Sequence, residues 1–139
     1  MNVVYFNAEK FYRLAYDYFN YENNLDLAEK CIRMALKADK NHSKSIILKG
    51  EILLAKNNTE KALRLFSKAL KISPNNTFCL FMIAKAYSLN GQNGLALKTL
   101  EKVFNKNFDD NDLLSECYNL KTDIIAGAKK HKKVLRINF

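Results

Sequence analysis

Few residues in this chain of 139 have types and spacings that could do chemistry. The two histidines, His42 and His131, have no cysteine or carboxylate nearby at metal-ligand spacing. Both are expected as solvated side chains, the first in a turn and the second in a basic tail. Cys31, Cys79 and Cys117 are widely spaced and odd in number, with no metal-clip pair among them. They are expected as small, reduced, apolar residues of a cytosolic protein. No glycine-rich phosphate loop, paired-carboxylate motif or nucleophile elbow occurs. The expectation is a non-enzymatic protein with no cofactor, no metal and no small-molecule substrate.

Two other groups of residues could recognise a partner. Lysine and arginine outnumber aspartate and glutamate by 23 to 14, for a net charge of +9. Lys30, Arg33, Lys37 and Lys40 form one line; Lys61, Arg64, Lys68 and Lys71 form a second; Lys98, Lys102 and Lys106 form a third. Spacings of three and four put each set on one helical face, and Lys129, Lys130, Lys132, Lys133 and Arg136 extend the charge. Such a ridge suits phosphate-bearing partners, nucleic acid or anionic lipid. Lysine and asparagine are used heavily throughout, however, and no aromatic interleaving offers base stacking. A lysine-solvated outer surface is the leading reading. The other group is aromatic: Tyr5, Phe6, Phe11, Tyr12, Tyr16, Tyr18, Phe19 and Tyr21 crowd the start of the chain.

The elements that position these side chains are helices. A single proline and four glycines leave little material for turn-rich β-structure, whereas long helices tolerate that composition. No apolar run approaches the roughly 20 residues of a spanning helix. The first ten residues lack a basic region followed by an apolar stretch, so a cytoplasmic location is expected.

The chain repeats itself every 34 residues. Ala28, Ala62 and Ala96 share that interval, as do Ile32, Phe66 and Leu100; Ala35, Ala69 and Val103; and Leu36, Leu70 and Phe104. Upstream, Tyr12, Ile46 and Leu80 are in phase, and so are Phe19, Leu53 and Tyr87. Between the blocks lie the turn-forming pairs Asn23-Asn24, Asn57-Asn58 and Gly91-Gln92. Apolar residues fall at helical spacing on both sides of each pair, so each unit is a helical hairpin. The predicted pairs are 9–21 with 25–38, 43–56 with 59–72, and 77–90 with 93–106. Pro74 stops one second helix by pushing Ser73 out of helical geometry. The small columns have a packing cause, because alanine at 28, 62 and 96 lets antiparallel helices approach.

The middle unit, Ile46-x2-Lys49-Gly50-x2-Leu53, then Ala62-x3-Phe66-x2-Ala69, then Pro74, resembles the tetratricopeptide signature. The third unit is similar, while the first departs with Tyr16 in place of a small residue and Lys40 in place of the proline. The resemblance implies an all-α tetratricopeptide-repeat solenoid over a single domain, 1–139. Its repeats are 9–42, 43–76 and 77–110, followed by a capping helix at 111–127 and a basic tail at 128–139. Leu113, Leu114, Cys117, Leu120, Ile124 and Ile125 should form the buried stripe of the cap.

The resemblance also implies a function: a concave groove, lined by the first helices, that binds another protein. Columns that face the groove in this family read Lys10, Arg13 and Asp17; Lys44, Ile47, Glu51 and Leu54; and Phe78, Phe81 and Lys85. Ile47, Leu54, Phe78 and Phe81 would make an exposed apolar patch edged by charge. The carboxylate clamp of chaperone adaptors is absent, since its columns read Arg13, Asp17, Leu48, Phe78 and Met82. The expected function is an adaptor that holds a partner segment. Its alternatives are a binder like the type III secretion translocator chaperones, alike in architecture only, and an electrostatic binder of nucleic acid or anionic membrane. Phe11 and Tyr18 occupy columns that pack on a preceding hairpin, which the first unit lacks. Residues 1–8 folding back would cover them, or a homodimer formed at this edge, or sequence outside the 139 residues.

Overall fold

The computed structural model describes the backbone of residues 3–137 and the side chains of residues 7–127. Its helices are α1 (Val3–Asn20), α2 (Leu25–Ala38), α3 (Ser43–Ala55), α4 (Thr59–Ile72), α5 (Thr77–Leu89), α6 (Asn93–Phe104) and α7 (Asn111–Ile137). No strand occurs among the described residues. Two helices are longer than the periodicity predicts. α1 begins at Val3 rather than near residue 9, and α7 continues to Ile137 rather than ending near 127. The lysines, leucine and arginine of that stretch are good helix formers and no proline interrupts them, so a tail read as separate is continuous with the cap.

The hairpin turns recur with the sequence period. Asn23, Asn57 and Gly91 have φ of 49°, 62° and 76°, the left-handed region that glycine and asparagine enter most readily. The columns behind them are uniformly buried: Ala28, Ala62 and Ala96; Ile32, Phe66 and Leu100; Ala35, Ala69 and Val103.

The chain divides into two compact units, residues 1–79 and 80–139, with the boundary inside α5. In the first unit α1 packs on α2 and α3 on α4, while α3 also meets α1 and α2. Ala15, Ala28, Ile32, Leu48 and Ile52 form one buried cluster, flanked by Tyr12, Tyr18, Phe19 and Leu25. α2 starts on an asparagine cap, with the Leu27 N–H donating to Asn24 Oδ1 at 3.1 Å. The α3–α4 hairpin closes on Gly50. A Cβ there would lie 2.8 Å from Phe66 Cζ and 2.9 Å from its Cδ1, so the fully buried ring takes the space of a missing side chain. The Cys79 thiol donates to Phe66 O at 3.2 Å, and the Cys79 N–H to Asn76 Oδ1 at 2.9 Å.

The first hairpin departs where its sequence does. Tyr16, in the column of Gly50 and Ala84, is 41% exposed, and Ala15 one residue earlier supplies the small buried contact.

In the second unit α6 packs on α7. The Phe104 and Tyr118 rings stack at 4.6 Å, and Lys121 Nζ lies 5.6 Å from the centre of Phe104. Asp110 Oδ1 accepts from the Leu113 N–H at 2.9 Å and caps α7. Leu113, Cys117 and Ile124 are buried, and Leu114 and Leu120 half-buried. Ile125, expected in the same stripe, is exposed.

Candidate functional site

The most structured polar group in the first unit centres on a histidine that the sequence predicts as solvated. His42 is instead 4% exposed. It stands at the N-cap of α3, and its ring reaches both ways. His42 Nε2 lies 3.0 Å from Glu9 Oε2, and Nδ1 lies 2.7 Å from Ser45 Oγ. An ionised carboxylate only accepts, so Nε2 carries a proton and donates to Glu9. The Tyr12 ring meets the imidazole edge-on at 5.8 Å. The turn before α3 is itself ordered by side chains, with the Asn41 N–H donating to Asp39 Oδ1 at 3.0 Å.

Glu9 gathers three cations or potential cations. Lys44 Nζ donates to its Oε1 at 3.2 Å, and Arg13 Nε lies 3.6 Å from the same oxygen, one helical turn along α1. Burial alone would push the Glu9 carboxyl up. The hydrogen bonds and charges of Lys44 and His42 outweigh it, so the carboxyl sits below its ordinary value. Lys44 Nζ also lies 5.9 Å from the Tyr12 ring centre, within cation–π range. Burial, with Glu51, Tyr16 and Glu9 adding to it, pushes the Tyr12 hydroxyl up to about 12.

Beside this group lies an open cavity of about 340 Å3 lined by Glu9, Tyr12, Arg13, Tyr16 and Asp17, all of α1. Tyr16 stands 6.2 Å from Tyr12 and 6.3 Å from Tyr21, ring centre to ring centre, so three tyrosines run along one side. Of the lining residues, Arg13, Tyr16 and Asp17 are exposed and Glu9 is held by His42; Lys44, exposed on α3, lies beside Glu9. Such a rim can hold a backbone or carboxylate oxygen on its cations and an apolar or aromatic side chain on its rings. The Ser45–His42–Glu9 chain has the connectivity of a hydrolase triad. Ser45 has no exposed surface, so its hydroxyl orients the imidazole and cannot meet a substrate.

The sequence-predicted groove residues fare unequally. Lys10, Arg13, Asp17, Lys44 and Lys85 are exposed, and Glu51 is half-buried. Phe78 is 40% exposed. Ile47, Leu54 and Phe81 are buried, which corrects the expectation of a four-residue exposed apolar patch. The column of Arg13, Ile47 and Phe81 is open only where the long guanidinium leaves the surface; its apolar members turn inward. Leu48 and Met82, from the clamp columns, are buried as well.

At the N-terminal edge Phe11 and Tyr18 are half-buried, and Tyr18 packs on the α1–α2 core. Residues 3–8 continue α1 along its axis, so that stretch does not fold back over these rings. The three cysteines are free thiols; burial pushes Cys79 and Cys117 up to about 11, which keeps them protonated and inert. His131 lies outside the residues whose side chains are described. No group of described histidine, cysteine and carboxylate residues could hold a metal, and no described helix is long and apolar enough to cross a membrane.

Neither His42 nor Glu9 stands among the sequence-predicted site residues. No signal in the sequence marks the pair: the positions equivalent to Glu9 hold Ser43 and Thr77, and those equivalent to His42 hold Ala8 and Asn76.

Comparison with known proteins agrees with this architecture. A family model described as tetratricopeptide repeat matches residues 53–117. No curated protein sequence matches the chain. Among solved structures, the N-terminal domain of stress-induced protein-1 (STI-1) from C. elegans is similar, with a TM-score of 0.68 and 12% identity. The likeness covers 87% of this chain and 99% of that one. A crystal structure of MamA protein has a TM-score of 0.63 and 21% identity over 70% of this chain, which spans about half of it (52%). A second MamA structure gives 0.64 and 20% identity over the same share, covering 57% of that chain. At these identities the likeness is one of fold. Residues 53–117 match the tetratricopeptide repeat, and the 34-residue period and the helical hairpins of the described residues give the chain an all-α tetratricopeptide solenoid fold.

Proposed function

We propose that the chain is a protein-binding adaptor whose first unit holds an extended partner segment across the exposed faces of α1 and α3. The tetratricopeptide fold supports a protein-binding role in general. One observation supports the narrower reading: Glu9, held by His42, draws Arg13 and Lys44 together beside the Tyr12 ring, next to an open cavity lined by Glu9, Tyr12, Arg13, Tyr16 and Asp17. Cations already drawn to one carboxylate beside a ring lower the ordering cost of binding. The partner segment would set a carboxylate or carbonyl against Arg13 and Lys44 and lay an apolar side chain on the tyrosines. Lys10, Asp17 and Glu51 would flank it.

The test is selection of a random peptide library on the immobilised protein. Selected peptides should bind Arg13→Glu/Tyr16→Ala at least about tenfold more weakly, the loss of one hot-spot contact. Peptides that bind the variant as tightly as the parent would remove this face from the adaptor.

A further inference from the structure

The second helices of the first unit carry a surface that the protein-binding reading leaves unused. On α2 the exposed face presents Lys30, Arg33 and Lys37, with Lys40 in the turn beyond; on α4 it presents Lys61, Arg64, Lys68 and Lys71. None of these eight makes an ion pair with a described residue. The carboxylates of α2 are spoken for elsewhere: Glu29 lies 2.8 Å and Asp26 3.7 Å from Lys56 Nζ. Glu60 sits in the first turn of α4, and beyond it neither exposed face carries an acid. The exposed cations therefore outnumber the acids on these two helices, and a partner of opposite sign gains from the excess.

Charge alone would suit any polyanion, but the side chains between the cations narrow the choice. Leu27 (38% exposed) and Met34 (43%) lie seven residues apart on the exposed side of α2, interleaved with Lys30 and Lys37. They depart from the second repeat, where the same columns hold Lys61 and Lys68. Ile72, also exposed, ends α4. No exposed aromatic ring stands on either helix to stack a base, which a single-stranded nucleic acid would use. Aliphatic side chains among lysines fit instead a surface with anionic headgroups outside and hydrocarbon beneath.

From this pattern we infer that the outer faces of α2 and α4 dock on an anionic lipid surface, with Lys30, Lys37, Arg64 and Lys71 on the headgroups and Leu27 and Met34 entering the interface. This surface is separate from the α1–α3 face, so one chain would hold a protein segment and a membrane at the same time.

The experiment is vesicle flotation of the full chain. The parent should float with phosphatidylcholine vesicles containing phosphatidylserine and not with phosphatidylcholine alone. Lys30→Glu/Arg64→Glu should weaken that partition at least about thirtyfold, given what each basic residue contributes near an anionic surface. Lys49→Glu/Lys121→Glu, the same change in net charge on exposed residues of α3 and α7, should weaken it far less. Leu27→Ser/Met34→Ser should cost at least about fivefold while leaving every cation in place. All the substituted side chains are exposed, and retained helicity by circular dichroism checks that each variant folds. The inference is overturned if the parent ignores phosphatidylserine vesicles, or if the two charge variants lose binding equally. It is also overturned if the Leu27/Met34 variant binds as the parent does, which would mark a charge-only surface, or if the parent binds duplex RNA in place of vesicles. Sedimentation that gives a dimer abolished by Leu27→Ser/Met34→Ser would assign the aliphatic face to a second copy and contradict it too.

Discussion

At the scale of single residues, the Glu9 carboxylate is one of the links between the first hairpin and the second. Glu9 is held from α3 by His42 and Lys44 and from its own helix by Arg13. Glu9→Gln removes charge-assisted bonds and should lower stability by about 1–3 kcal/mol at neutral pH. The pH dependence follows from the sign of the shift. The folded carboxyl is held below its ordinary value of 4.5, so the contribution is present above about 4.5 and is lost as pH falls through the lower, folded value. Thermal melts of parent and Glu9→Gln should therefore differ most near neutrality and converge in acid; a constant gap would contradict the linkage. Gly50 is the second sensitive residue. Gly50→Ala drives a methyl into a fully buried Phe66 ring that has no space to yield, and should cost about 1–3 kcal/mol in chemical denaturation. A neutral Gly50→Ala would mean that the α3–α4 contact is looser than described. His42 marks the limit of what the sequence reveals at this scale. Its partner Glu9 is 33 residues away at the far end of the same repeat, and no local period points from one to the other. The repeat register could not supply it either, since the equivalent positions hold Ala8 and Asn76.

At the scale of elements, the helices and turns were legible because their causes are local. A left-handed turn residue is readable as asparagine or glycine, and it recurs at Asn23, Asn57 and Gly91. Asn57→Ala should cost about 1 kcal/mol and Asn57→Gly little, since glycine enters that region without a Cβ penalty. Equal melting temperatures for the two variants would contradict the strained-turn assignment. The ends were less legible. α7 runs on because no breaker follows Gly127, and α1 starts early for the same reason. The groove was legible only in part. The columns of Lys10 and Asp17 are open or half-open, whereas Ile47, Leu54 and Phe81 are buried. An apolar side chain in an outward column leans onto whatever neighbours it has, and the sequence does not say which neighbours are within reach. Tyr16 behaves in the opposite way: a ring too large for the small column turns out, and Ala15 fills in.

At the scale of the whole molecule, the period of 34 residues ties the sequence to the tetratricopeptide fold. The described buried stripe of α7 ends at Ile124, while five of the 23 basic residues lie at 129–139. Deleting residues 129–139 should leave the melting temperature within a few degrees of the parent, because no described buried side chain is lost. A large drop would show that the end of α7 carries core contacts. The central claim is that the α1–α3 face of the first unit is where a partner segment binds, and chemical-shift mapping tests it most directly. A library-selected peptide titrated into 15N-labelled protein should shift amide resonances of residues 9–17 and 44–51, with the Tyr12 and Tyr16 amides among the first to move. Shifts confined to the exposed faces of α2 and α4, with residues 9–17 unmoved, would contradict it.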